Sequence, residues 1–102
     1  MISRQNESQI TFTVITRCEK YSQWRSYGRS LKPAFKYAKL CCDKSKSLNE
    51  ILLTVLYEYG DFQLTHYFSR MDIERYKNYW EFMPILDIIL TRMKKEVIMS
   101  LK

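Results

Sequence analysis

General acid–base chemistry near neutral pH calls for an imidazole or a perturbed carboxylate, and this chain has a single histidine, His66. The nucleophile–base arrangements open to it are a pair with Cys18 or with a serine. His66 alternates with Leu64 and Phe68, so it reads as a core or sheet-edge residue rather than a base. The carboxylate pairs Glu58/Asp61 and Asp72/Glu74 fall at turns and helix starts, where capping accounts for them. The three cysteines, Cys18, Cys41 and Cys42, lack Cys-x-x-Cys spacing, and one histidine does not complete a zinc set. Cys41 and Cys42, in a predicted helix, read as packing residues; a bridge from Cys18 to one of them belongs to an oxidising compartment or a hyperthermophile. Two glycines in the whole chain leave no phosphate-cradling loop. The sequence therefore predicts no catalytic residue, no metal ligand, no cofactor and no enzyme.

Binding chemistry is better represented. Arg17, Lys20, Trp24, Arg25, Tyr27 and Arg29 interleave cations with stackable rings. A lysine stripe, Lys32, Lys36, Lys39 and Lys46, follows with Asp43 among it. Such runs suit a phosphate backbone or single-stranded nucleic acid. The net charge is +6, and residues 1–50 carry all of it, with ten Lys and Arg against four Asp and Glu. Residues 51–102 balance seven against seven. The basic patch predicted here is Arg17, Lys20, Arg29, Lys32, Lys36 and Lys39.

The elements that must position these residues come in two similar sets. ITFTVITRCEKYSQWRSYGR, residues 10–29, lies over ILLTVLYEYGDFQLTHYFSR, residues 51–70, without a gap. Ile10/Ile51, Thr13/Thr54, Val14/Val55 and Arg29/Arg70 are identical, and both segments run from an apolar stretch through a polar break to an aromatic stretch. A helix signal at a proline follows each, at Pro33 and at Pro84. Gly60-Asp61 suits a two-residue hairpin turn between Leu52–Tyr59 and Phe62–Ser69. The first hairpin is read as Ile10–Cys18 and Gln23–Gly28, turning near Glu19–Ser22. Ser47 and Glu50 also fit a helical capping box; the repeat argues for a strand. In the second half, Asp72 is expected to cap a short helix running through Glu74, Tyr76 and Trp80.

The expectation is an α+β fold, with two tandem β-hairpin–helix (ββα) repeats packed as one pseudo-two-fold domain spanning residues 1–102. Residues 1–9 form an N-terminal arm, 10–46 the first repeat, and 51–99 the second, with an insertion at 71–82. One unit of about 40 residues is too small to bury its own faces, so the pair must share a core. Their junction is the natural groove, and its predicted lining is Trp24, Arg25, Tyr27, His66, Tyr67 and Phe68.

The duplicated ITFTVI/ILLTVL segment, its trailing Pro-started helix and the Tyr-, Ile- and Lys-rich basic character resemble the small orphan proteins of filamentous viruses of hyperthermophilic archaea, the Acidianus filamentous virus type. The resemblance covers the whole chain. It implies an intracellular viral accessory protein, an adaptor for host or viral macromolecules. No secretory signal follows Met1, and the apolar run near Ile85–Leu90 is broken by Asp87, so no membrane partner is expected. The function predicted is a non-enzymatic protein- or peptide-binding module using the inter-repeat groove. The alternative is a nucleic-acid-binding protein using the basic first repeat. Monomer and homodimer are both left open.

Overall fold

A computed structural model describes residues 8–44 and 50–100. The fold is α+β, with one four-stranded antiparallel sheet and three helices. In chain order the elements are β1 (Ser8–Arg17), β2 (Ser22–Ser26), α1 (Leu31–Lys44), β3 (Glu50–Tyr59), β4 (Phe62–Phe68), α2 (Arg70–Glu74) and α3 (Tyr79–Ser100). The sheet order is β2-β1-β3-β4, so the two long strands lie at the centre and the short ones at the edges. β1 and β3 pair along their whole length, from Ser8 opposite Tyr59 to Arg17 opposite Glu50. Strand pairing thus takes in Ser8 and Gln9, which were expected in an arm. The rest of that arm, Lys46, and Ser47 to Asn49 lie outside the described residues. From Glu50 onward the segment is a strand, as the repeat argued, because its backbone is paired on both sides.

Two turns set the hairpins. In the second, Tyr59 faces Phe62 across Gly60-Asp61, and Gly60 takes φ +59°. That is the positive φ a type II′ turn needs at its first central residue. In the first, Cys18 N–H donates to the Tyr21 carbonyl at 3.0 Å. At the far end of that hairpin Phe12 stands opposite two residues: its N–H donates to Gly28 and its carbonyl accepts from Tyr27, both at 2.8 Å. This is a β-bulge; it ends the pairing and turns the chain towards α1.

The core lies between the sheet and the helices. Phe12 and Val14 of β1, Ile51, Leu53 and Val55 of β3, and Phe68 of β4 pack against Ala34, Phe35, Ala38, Ile73, Phe82 and Leu86. Phe82 sits at the centre, with Phe35 at 4.9 Å, Phe68 at 4.8 Å and Tyr76 at 5.6 Å between ring centroids. A second cluster joins Tyr57 to Met93 and Val97 at the far end of α3. All helices occupy one face of the sheet, since every strand residue in these clusters belongs to the same alternating set.

The helix boundaries depart from the expectation. α1 begins at Leu31, with Pro33 inside its first turn, where the missing N–H costs nothing. α3 begins at Tyr79 and carries Pro84 inside it. Its start is fixed instead by Asn78, whose Oδ1 accepts from Glu81 N–H at 3.2 Å, while Glu81 accepts from Lys77 N–H at 3.0 Å. The short helix is capped by Ser69, not by Asp72. Asp72 is the other half of a capping box, accepting from Ser69 N–H at 2.9 Å, and the helix stops at Glu74. The expected insertion is therefore α2 plus the first turn of α3. Arg70 ties α1 to α2, donating to the Cys42 carbonyl at 2.8 Å and to Glu74 at 2.7 Å. A helix C-terminus leaves carbonyls without partners, and a guanidinium supplies one.

Candidate functional site

Among the described residues, no element packs on the face of the sheet opposite the helices. It carries Thr11, Thr13, Ile15 and Arg17 of β1, Leu52, Thr54, Leu56 and Glu58 of β3, Trp24 of β2, and Thr65 and Tyr67 of β4, because these alternate with the core residues. The central strands form the floor of a concavity of about 250 Å³ lined by Thr13, Ile15, Leu52, Thr54 and Leu56. Trp24 and Tyr67, 65% and 57% exposed, line it from the two edge strands. Ile15, directly opposite Trp24 in the register, is only 3% exposed although none of the described helices covers this face. Thr54 fixes the middle of the floor by donating its hydroxyl to the Thr13 carbonyl at 3.2 Å. At one end Arg17 Nη1 lies 3.3 Å from Glu50 Oε1. Among the described residues, the strand charges on this face are Arg17, Glu50 and Glu58, so it is close to neutral.

The predicted groove residues do not form one surface. Trp24 and Tyr67 share the concavity just described. Arg25, His66 and Phe68 point to the helix side, because they occupy the alternate positions of the same two strands, and Tyr27, just beyond β2, packs against the core on that side. Phe68 is a core residue at 3% exposure. His66 packs on it at 4.6 Å and lines a separate cavity of about 240 Å³ with Leu64, Arg92, Met93 and Glu96. Arg25 lies over the Tyr37 ring at 4.5 Å, and Tyr27 stands 6.1 Å from Tyr37.

The predicted basic patch is divided as well. Arg17 is on the uncovered face beside Glu50, and Lys20 is in the β1–β2 turn. Arg29 is in the β2–α1 connection, exposed, whereas its counterpart Arg70 is the tie to α1. Lys32 sits over the Tyr79 ring at 5.5 Å. Lys36 and Lys39 line a third concavity, of about 450 Å³, with Tyr27, Pro33, Tyr37, Leu40 and Asp43 along the flank of α1.

Titration separates the two sides further. Burial, then a side-chain hydrogen bond with Cys41, raises the Tyr37 phenol above its ordinary 10.0, and Arg25 partly offsets this. Burial, with Glu74 nearby, raises the Cys42 thiol above 9.0. Both groups lie on the helix side. Among the described residues no group of three or more His, Cys, Asp or Glu side chains is assembled that could hold a metal ion, and no helix is long and apolar enough to cross a membrane.

Sequence reasoning passed over Ile15, Leu52 and Leu56, which form the apolar floor. A signal for them was present. The run Ile51-Leu52-Leu53-Thr54-Val55-Leu56 is apolar on both alternating sets, so that strand carries apolar side chains on both faces.

The fold and site define a small α+β protein with an open-faced antiparallel sheet bearing an aromatic-walled concavity. A scan against protein-family models and searches of curated proteins and of solved structures found no match.

Proposed function

We propose that this protein is a non-enzymatic binding module, and that the uncovered sheet face takes an apolar segment of a partner protein. One observation carries the reading: an apolar floor of Ile15, Leu52 and Leu56 lies between two exposed aromatic residues, Trp24 and Tyr67. Trp and Tyr dominate binding energy where they border a pocket that excludes water. The near-neutral charge of the face suits apolar side chains and disfavours a phosphate backbone.

The concavity spans all four strands and is centred where the two hairpins meet. That position supports the tandem ββα reading, in which the hairpins are related by a pseudo-two-fold axis. The register adds support, since Thr13 lies opposite Thr54, the residue it matches in the gapless sequence alignment. An axis through that pair makes the floor the junction of the two units. An accessory role in a virus-infected cell, implied by the resemblance to archaeal filamentous-virus proteins, belongs to the same proposal.

The test is selection of peptides from a random display library on the intact protein, followed by affinity measurement. Selected peptides should be rich in apolar residues. They should bind the Trp24→Ala or Tyr67→Ala variant at least about tenfold more weakly. The double variant Lys36→Ala/Lys39→Ala should bind them unchanged. Peptides that bind Trp24→Ala and Tyr67→Ala as tightly as the original chain would overturn the assignment.

A further inference from the structure

The flank of α1 is a different kind of surface, and it stands independently of the sheet-face reading. Its concavity, about 450 Å³, is bordered by two tyrosine rings, Tyr27 and Tyr37, and by Pro33 and Leu40. Lys36 and Lys39 line it, and the Arg25 guanidinium lies against Tyr37. Asp43 is the one acidic residue in the lining. Among the described residues, the ion pairs join Arg17 to Glu50 and Arg70 to Glu74, so neither lysine is paired. Leu40 is 45% exposed there, on a helix whose other face supplies Ala34, Phe35 and Ala38 to the core.

From this arrangement we infer that the α1 flank binds single-stranded nucleic acid, with an unstacked base against the Tyr27–Tyr37 wall and its phosphates held by Lys36 and Lys39. Three points carry the choice of ligand. The lining cations outnumber the acids, so the occupant is anionic. The wall between the cations is aromatic and apolar, so the occupant also has a flat apolar face. A base with its phosphate has both, and stacking tolerates any base because each has a π-face. A duplex hides its base faces and would offer this surface phosphates alone. The uncovered sheet face does not compete for the same ligand, because Glu50 and Glu58 offset Arg17 there.

The experiment is fluorescence anisotropy with a labelled 12-nucleotide oligo(dT), the duplex of the same length, and poly-glutamate as an anionic peptide. The single strand should bind, and binding should weaken as salt rises from about 20 to 200 mM. Lys36→Ala/Lys39→Ala should lose about tenfold in affinity, and its log–log salt slope should flatten by roughly 1.4, the value for two phosphate contacts on a single strand. Leu40→Glu, an exposed change, should lose at least as much. The control Lys94→Ala/Lys95→Ala, on α3, removes the same charge elsewhere and should leave affinity within about twofold. Circular dichroism confirms that each variant is folded. Absence of binding at about 20 mM salt overturns the inference. So do equal affinity for the duplex or for poly-glutamate, and an equal loss in the α3 control, which would show attraction to net charge alone.

Discussion

The two faces of the sheet are built from the same four strands, yet they behave as different materials. On the helix side, Phe12, Val14, Leu53, Val55 and Phe68 are all buried, and Phe82 is clamped among three other rings. On the other side, Trp24 and Tyr67 stand more than half exposed over a floor in which Ile15 and Thr54 are buried and Thr13, Leu52 and Leu56 are partly exposed. The difference teaches where stability is separated from the recognition proposed for the open face. The helix side holds the chain together because closely packed interiors tolerate little loss of volume. On the other side the Trp24 and Tyr67 rings stay largely solvated in the folded chain and contribute little to folding.

Removing Phe82 should sharpen this contrast most. Phe82→Ala empties the centre of the aromatic cluster and should cost about 3–5 kcal/mol by urea denaturation, a large share of the stability of a domain of this size. A loss of under about 1 kcal/mol would mean that the helices are not what anchors the sheet. Trp24→Ala and Tyr67→Ala should each cost no more than about 1 kcal/mol in the same measurement, because their rings are mostly solvated already. If either approached the cost of Phe82→Ala, the distinction between the two faces would fail.

Alkaline pH should act on the helix side, through Tyr37 and Cys42. Tyr37 and Cys42 both have folded-state pKa values raised by burial, so the folded chain holds these protons more tightly than the unfolded chain does. Their contribution to stability is complete below the ordinary values of 9.0 for the thiol and 10.0 for the phenol, and it is lost as pH rises through and beyond them. Urea midpoints should fall between pH 8 and pH 11, and Tyr37→Phe should make that fall shallower. An unchanged slope in Tyr37→Phe would remove the phenol from the account. The smallest effect belongs to the open face: Arg17→Ala should shift stability by less than about 1 kcal/mol, since its contact with Glu50 is between two half-exposed side chains. A larger loss would show that this exposed pair helps to hold β1 to β3.

Much of the fold was legible before any coordinates. The apolar, β-branched runs at Ile10 and Ile51 are strands, Gly60-Asp61 is the tight turn, and helices follow each hairpin. Helix starts were misread where a proline drew attention from a better cap. Ser69 with Asp72, and Asn78 with Glu81, satisfy backbone donors directly, whereas Pro84 merely fits within a helix already begun. The candidate site was half legible. Trp24 and Tyr67 were both in the predicted lining, but Ile15, Leu52 and Leu56 beneath them were not.

What the sequence alone determined was local. Alternation set which residues of a strand share a side, turn chemistry set the second hairpin's register, and the order of charges put the positive excess in the first half. Only the tertiary structure decided which side each alternating set would take. In β2 the one aromatic residue, Trp24, belongs to the set that faces away from the helices, while Gln23 and Arg25 face them, so that strand's own pattern does not say which set is covered. That choice was made by β1 pairing with β3 and by three helices packing on one face. It parted Trp24 and Tyr67 from Arg25, Tyr27, His66 and Phe68, because neighbours in a strand point in opposite directions and a sheet covered on one side treats them oppositely.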